Sequence, residues 1–555
     1  MKRLFTCLLL LALVTHVNAG PAAKKLNWNK CYEDVAADFA PLPVRYECTQ
    51  ANVPLDHDRP NGPAISIALV RLPASDPDVY RGSLFLNPGG PGGSGVDFAL
   101  FFGPFAPFVL GPVANQYDIV GFDPRGVGRS TALRCFGNLN QAVQAFAPVP
   151  FPFDESEVPL FEAADGLLNN QCTQRGNKVL EHMSTANVAK DLDLLRAAVG
   201  DDRLNYLGLS YGSYLGQTYA NLFPDNVGAL VIDGILDPIA WANVNPTVPF
   251  SVALRSDVGT QDTLDEFLRQ CDAAGAPACA LAPNAAGRLD DLLERLRGGP
   301  IQIIDPATGE TFDYLYSFGV FDLLLGLYNP FGYAELAGFF AFLESIPEPT
   351  ALGIARAEMQ RSVGFVNKRG FPHYPNFAER FPGVGCVDTS NPAGGHDVWF
   401  AAGKAATADF GIFGEAWTWA SAPCAVWTSF DDDVFKGPFD TDTAHPVLVI
   451  GNFYDPATRY EGALTATGLL GNSVLLSVDE PGHTSLGLSA CAGFFTGLYL
   501  ADPDAFAGLL SILLPDGTCP SEGNWFKKFG PAASTDSGMG ASFRTRLMEQ
   551  IAFRP

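Results

Sequence analysis

The sequence predicts an α/β fold: a mostly parallel sheet flanked by helices and interrupted by a large inserted lid domain. Three observations carry that expectation. Short apolar runs bounded by turn signals recur at Ile65 to Leu72, Gly82 to Leu86, Tyr117 to Phe122, Leu204 to Leu209, Ala229 to Ile232, Pro446 to Gly451 and Ser473 to Val478. Strands buried on both faces read this way. Helical periodicity falls between them: after a cap at Ser184 or Thr185, residues Val188, Leu192, Leu195 and Val199 share one face. The alternation breaks off near residue 239 and resumes near 441. The stretch between mixes helix-like pieces (Leu264 to Gln270, Ala286 to Leu296), aromatic segments (Phe318 to Phe342, Trp417 to Trp427) and loops rich in Pro and Gly.

The chain of 555 residues is therefore divided into a core in two parts, 20–238 and 441–555, and a lid insertion, 239–440, behind an N-terminal signal peptide, 1–19. Two independent domains in series would give a similar break. Pieces needed for one chemistry lie on both sides of it, which favours a single sheet carrying a lid. The signal reading rests on Lys2 and Arg3, the apolar core Leu8 to Val14, and the small-residue ending Val17-Asn18-Ala19. That apolar core is shorter than the ~20 residues of a membrane span. Cleavage after Ala19 implies a secreted or periplasmic protein.

Export accounts for the cysteines. Once Cys7 is removed with the signal, ten of the eleven remain, an even number with no C-x-x-C pair. Disulfides are then expected rather than a zinc or thioredoxin site. Pairing of neighbours along the chain is the least demanding connectivity. Net charge is −25, and losing Lys2 and Arg3 takes it to −27. So acidic a surface argues against nucleic acid and against anionic membranes as partners. Nothing in the sequence sets the oligomeric state.

Ser210 lies in Gly208-Leu209-Ser210-Tyr211-Gly212, a G-x-S-x-G pattern between the strand 204–209 and a helix expected over Tyr211 to Leu222. In such an elbow the serine hydroxyl stands at the apex of a sharp strand-to-helix turn. The pattern alone is weak in a glycine-rich chain. A serine nucleophile also needs a base and a group that orients the base. The order Ser, acid, His restricts the choice. Of the histidines His57, His182, His373, His396, His445 and His483, only His483 follows a later strand, in the loop Asp479 to Ser485. Chemistry in open α/β sheets sits at such strand ends. Asp455 lies just past strand 446–451, 28 residues before His483. Asp479 and Glu480 are rivals, too near His483 for the usual layout.

Acyl transfer needs donors for an oxyanion. The loop Asn87-Pro88-Gly89-Gly90-Pro91-Gly92-Gly93-Ser94-Gly95 follows strand 82–86 and offers the N–H groups of Gly89 and Gly90. Tyr211, next to the nucleophile, offers another. The loop lacks the spacing or the Gly-Lys ending of a phosphate loop.

Taken together, Asn87 to Gly95, Asp123 to Ser130 (DPRGVGRS), Leu207 to Gly216 (LGLSYGSYLG), Asp455-Pro456-Ala457-Thr458 and Gly482-His483-Thr484-Ser485 resemble the secreted tripeptidyl aminopeptidases, serine peptidases similar to the proline iminopeptidases. The resemblance spans nearly the whole mature chain. It implies an α/β-hydrolase fold with the lid between the sixth and seventh core strands. It implies Ser210, Asp455 and His483 as the catalytic triad, and Gly90, with Gly89 as the alternative, beside Tyr211 in the oxyanion hole. Asp123 and Arg125 are read as structural. No metal or organic cofactor is implied.

The implied substrates are peptides with a free N-terminus. Their ammonium calls for a lid carboxylate, for which Asp257, Glu266, Glu335, Glu344 and Glu358 are candidates. An esterase or lipase with the same triad, an enzyme releasing single residues such as proline, and a non-catalytic binding module are the rival readings.

Overall fold

The computed structural model describes residues 26–304, 311–346 and 376–530. The expected signal peptide, His373 and Glu358 lie outside them.

One ten-stranded sheet organises the molecule, in the order β1-β2-β3-β5-β4-β6-β7-β10-β11-β12. Its strands are β1 (Asn29–Cys31), β2 (Tyr46–Pro54), β3 (Ala64–Leu72), β4 (Ser83–Asn87), β5 (Asp118–Phe122), β6 (Leu204–Leu209), β7 (Val227–Asp233), β10 (Val447–Tyr454), β11 (Ser473–Pro481) and β12 (Thr518–Cys519). β1, β2, β3 and β5 pair antiparallel, and every pairing from β5 to β12 is parallel. Strands β4, β5 and β7 are buried along their whole length. Helices cover both faces, which is why these strands carry unbroken apolar runs. Thr185–Val199 and Tyr211–Leu222 pack on one face, Gly95–Phe102 and Ala490–Ala501 on the other.

The chain passes from β4 out to β5 and then returns across β4 to β6. Open α/β sheets bind their ligands at such a reversal, outside the carboxyl ends of the strands. The glycine loop leaves β4, Ser210 leaves β6, Asp455 leaves β10 and His483 leaves β11. Register keeps these ends level: Asn87 pairs with Gly208, Leu209 with Asp233, and Asp233 with Ile450.

Between β7 and β10 the chain builds a mainly helical cover. Its principal members are Ser256–Ala274, Ala285–Gly298, Tyr316–Leu327, Tyr333–Ser345, Phe377–Asp388 and His396–Phe410, with a small hairpin of β8 (Ile301–Ile304) and β9 (Thr311–Tyr314). An earlier stretch joins this cover. The helix Val158–Arg175 sends Asp165 to His396 Nε2 at 2.8 Å, and Phe161 packs on Trp419 at 4.7 Å between ring centroids. Its hydrophobic pattern gave no sign of this attachment, because the contacts run to residues more than two hundred positions away.

All ten cysteines of the described residues pair with their chain neighbours: Cys31–Cys48, Cys135–Cys172, Cys271–Cys279, Cys386–Cys424 and Cys491–Cys519. No helix among the described residues is long and apolar enough to cross a membrane.

Candidate active site

Ser210 follows β6 and caps the next helix, with φ 58° and ψ −126°. A side chain in that region costs about 1–3 kcal/mol and persists only where its surroundings impose it. Here they do. The Ser210 N–H donates to the Asp233 carbonyl at 2.9 Å, and the Ser210 carbonyl accepts from Ser213 N–H at 2.7 Å. Gly208 is required for the turn, since a Cβ there would lie 2.3 Å from the Gly212 carbonyl oxygen. The elbow thus holds Ser210 half-buried at the start of Tyr211–Leu222.

His483 Nδ1 lies 2.9 and 3.1 Å from the two carboxylate oxygens of Asp455. Asp455 is fully buried, and it accepts from Ala457 N–H (2.9 Å), Thr458 N–H (2.8 Å), Thr458 Oγ1 (2.8 Å) and Thr484 N–H (3.1 Å). Burial alone would raise its carboxyl. The His483 imidazole and these donors outweigh burial and hold it below the usual carboxylate range. The acid is therefore kept ionised against the imidazole. The cover also touches the histidine: the His483 N–H donates to the Tyr328 carbonyl at 2.9 Å, and the two rings meet edge-on with centroids 5.0 Å apart.

Asp233 joins the two halves. Its carbonyl holds Ser210, while its carboxylate accepts from Ser485 N–H, Ser485 Oγ (both 2.9 Å) and Leu486 N–H (3.0 Å). One buried residue at the end of β7 thereby ties the elbow to the histidine loop. Burial pushes its carboxyl up to about 6.

The glycine loop folds back on the elbow. Gly89 has φ +95°, and a Cβ on it would lie 2.9 Å from both Ser210 Cβ and Tyr211 N. Its own N–H donates to Asn87 Oδ1 at 2.9 Å. The Gly90 N–H has no acceptor among the described residues.

Comparisons with known proteins show the family to which this fold belongs. A family model described as alpha/beta hydrolase fold matches residues 82–264, and one described as TAP-like protein matches 408–507. Serine protease Hip1 of Mycobacterium tuberculosis is 32% identical over 452 residues, 79% of this chain and 81% of its own. Tripeptidyl aminopeptidase of Streptomyces lividans is 30% identical over 471 residues, 82% of this chain and 81% of its own. The chain belongs to the tripeptidyl aminopeptidase family of α/β-hydrolase serine peptidases. Carboxylesterase B of M. tuberculosis is similar too, 30% identical over 484 residues, 84% of this chain and 85% of its own.

Within this family member, pairing with an acid does not by itself single out a base. His57 meets Asp191, His396 meets Asp165 and His445 meets Asp504, yet none of these stands at the carboxyl end of a parallel strand beside the elbow. Glu480 turns away from His483 and accepts from Trp525 Nε1 at 2.8 Å. Arg125 is buried and bound to Asp191, and Asp123 accepts from Val96 and Arg129 N–H, both structural as expected.

Sequence reasoning passed over Asp233, which follows the apolar run Ala229 to Ile232, and the hydroxyl of Thr458, which ends the quoted run Asp455 to Thr458. The lid acids are mostly engaged. Asp257 binds Arg255, Glu266 binds Arg269 and Gln270, and Glu344 binds Arg288, while Glu335 is exposed.

Proposed function

We propose that Ser210, His483 and Asp455 are the catalytic triad of an exported serine exopeptidase that cleaves peptides near a free N-terminus and releases tripeptides. The observation that carries the reading is the Asp455–His483 pair, linked through Asp233 to the backbone of a strained Ser210. His483 Nε2 accepts the Ser210 proton as Oγ attacks the scissile carbonyl. Asp455 orients the ring and stabilises the imidazolium. The N–H groups of Gly90 and Tyr211 receive the oxyanion. Gly90 is favoured over Gly89 because the Gly89 N–H is already bound to Asn87. The imidazolium then protonates the leaving amine. Water, deprotonated by His483, attacks the acyl ester and releases the acid together with Ser210. Five disulfides support an oxidising compartment outside the cytoplasm.

A tripeptidyl-anilide compared with its N-acetylated form tests the exopeptidase reading. Loss of cleavage on acetylation is expected, and equal cleavage sinks it. Product masses from a longer unblocked peptide separate release of three residues from release of one. A second reading, ester hydrolysis by the same triad, is favoured by the similarity to carboxylesterase B. It predicts that short acyl esters are turned over faster than any peptide. Failure of a fluorophosphonate to label Ser210 in folded protein would point instead to a binding module.

A further inference from the structure

Arg380 stands on the helix Phe377–Asp388 of the cover. The helix start is pinned to the core by Asn376, whose Nδ2 donates to the carbonyls of Gly126 (2.6 Å) and Leu133 (3.0 Å). From there the Arg380 stem lies along the glycine loop. A Cβ on Gly92 would fall 2.6 Å from Arg380 Cγ and 3.0 Å from its Cβ and Cδ. Gly92 is two residues from Gly90, and Gly89 of the same turn touches Ser210 and Tyr211. The arginine therefore borders the loop proposed to bind the oxyanion.

Its guanidinium has no hydrogen bond and no ion pair among the described residues. The acids around it are engaged elsewhere. Asp97 binds Arg129 at 2.8 Å, Asp123 accepts from Val96 and Arg129 N–H at 3.1 and 2.7 Å, and Glu379 accepts from Cys135 N–H at 3.2 Å. Desolvation weakens its hold on the proton, although those three acids pull the other way. Other half-buried or buried arginines behave differently: Arg71, Arg125, Arg129, Arg255 and Arg288 each hold a carboxylate. With 60 acids to 35 bases in the chain, acidic partners are plentiful. Arg380 is half-buried with its fork unbound, and a planar guanidinium is suited to bidentate capture of a carboxylate.

We propose that Arg380 is a substrate-binding residue that receives a carboxylate on the leaving side of the scissile bond. The inference rests on the peptidase reading above. The leaving side is assigned by charge: the substrate ammonium on the other side would be repelled by this cation. The carboxylate has two sources, an acidic side chain just after the scissile bond or the C-terminal carboxylate of a peptide cut close to its end.

The test compares kcat/KM for matched peptides in wild-type protein and in Arg380→Met, which keeps the stem over Gly92. One pair is a peptide amide with Asp or Asn after the cleavage point. The other is a short peptide as free acid or as amide. The expected result is that the acid-to-neutral ratio of at least one pair falls by about 10-fold or more in the variant, as loss of a charged hydrogen bond implies. The pair that responds identifies the source. Ratios unchanged in both pairs overturn the proposal. Arg380→Gln is measured in parallel, with labelling of Ser210 by a fluorophosphonate in the absence of peptide as the check on folding. The same peptides are also used to slow that labelling. If wild-type protein cleaves none of them, the peptidase reading fails. Stronger protection by acids than by neutral partners, lost in the variants, then still supports Arg380, and equal protection overturns it.

Discussion

At the carboxyl edge of the sheet, backbone groups fix Ser210 and Asp455, and the Asp455 carboxylate in turn holds His483. Three strand ends held in register supply the carbonyl of Asp233 and the N–H groups of Ala457, Thr458 and Thr484. The cover above meets this edge through one backbone bond at the Tyr328 carbonyl, and its pieces are linked by side chains: a disulfide between Cys386 and Cys424, the His396–Asp165 pair, and aromatic contacts such as Phe161 with Trp419. Backbone bonds within a buried sheet leave little freedom, whereas side-chain links can be exchanged one at a time. With the triad proposed above, chemistry would belong to the rigid part and substrate choice to the adaptable one. Variants in the two regions should separate these roles.

The largest effects belong to the sheet edge. Ser210→Ala should abolish fluorophosphonate labelling and lower kcat by roughly 10⁶-fold, with the circular dichroism spectrum unchanged. Asp455→Asn should lower kcat by about 10⁴-fold, because an amide no longer selects the required imidazole tautomer. If either change affects only KM, the division between chemistry at the edge and recognition above it is wrong.

Next comes Thr458, which donates its hydroxyl to Asp455 at 2.8 Å and lies 3.3 Å from His483 Nδ1. Thr458→Val keeps the shape and removes one donor from a buried carboxylate. A loss of about 10–100-fold in kcat is expected, with KM little changed. Thr458→Ser should restore most of it. An equal loss in both variants would mean that packing of the methyl, not the hydroxyl, is what matters.

In the cover, replacing Cys386 and Cys424 together by serine opens a link that closes 38 residues of chain. About 2–4 kcal/mol of stability should be lost, seen as a lower midpoint in urea. Turnover of a small activated ester should change much less than turnover of a tripeptidyl substrate. Equal losses would show that the cover and the edge do not act separately.

The same contrast explains what was legible in the sequence. The parallel strands announced themselves through buried apolar runs. The elbow and the pairing of Asp455 with His483 were legible from chain order, because strand ends place their loops by topology alone. The neighbour pairing of cysteines was legible for a related reason, since each bridge is local in sequence. Asp233 was not legible: an aspartate after Val231-Ile232 looks like any turn starter, and only its contacts 252 residues away give it a role. Arg380 and the attachment of Val158–Arg175 to the cover were hidden for the same reason. Nothing in local periodicity reports which side chain from one insertion will meet another.

The smallest predicted effect lies where the two regions meet. Asp388, at the end of the cover helix Phe377–Asp388, accepts from the Thr185 N–H at 2.8 Å and from the Thr185 hydroxyl, which also contacts the hydroxyl of Tyr211. Asp388 is 1% exposed, and burial pushes its carboxyl up to about 7, with Asp431 adding to the effect and the Thr185 bonds opposing it. In the unfolded chain an aspartate titrates near 4. Between those two values the folded state holds a proton that the unfolded state has released. Stability therefore falls as pH rises from about 4 to about 7. Asp388→Asn should remove that part of the slope. Its thermal midpoint should vary less between pH 5 and pH 7 than that of the wild type, by a few degrees at most. Lys436 is the neighbouring cation that Asp388 influences, so Lys436→Met should steepen the same slope by withdrawing a charge that favours the ionised carboxylate. If Asp388→Asn leaves the slope intact while lowering kcat, the Asp388–Thr185–Tyr211 link serves to set the helix that carries the nucleophile, and the boundary between cover and edge would have to be drawn above Asp388.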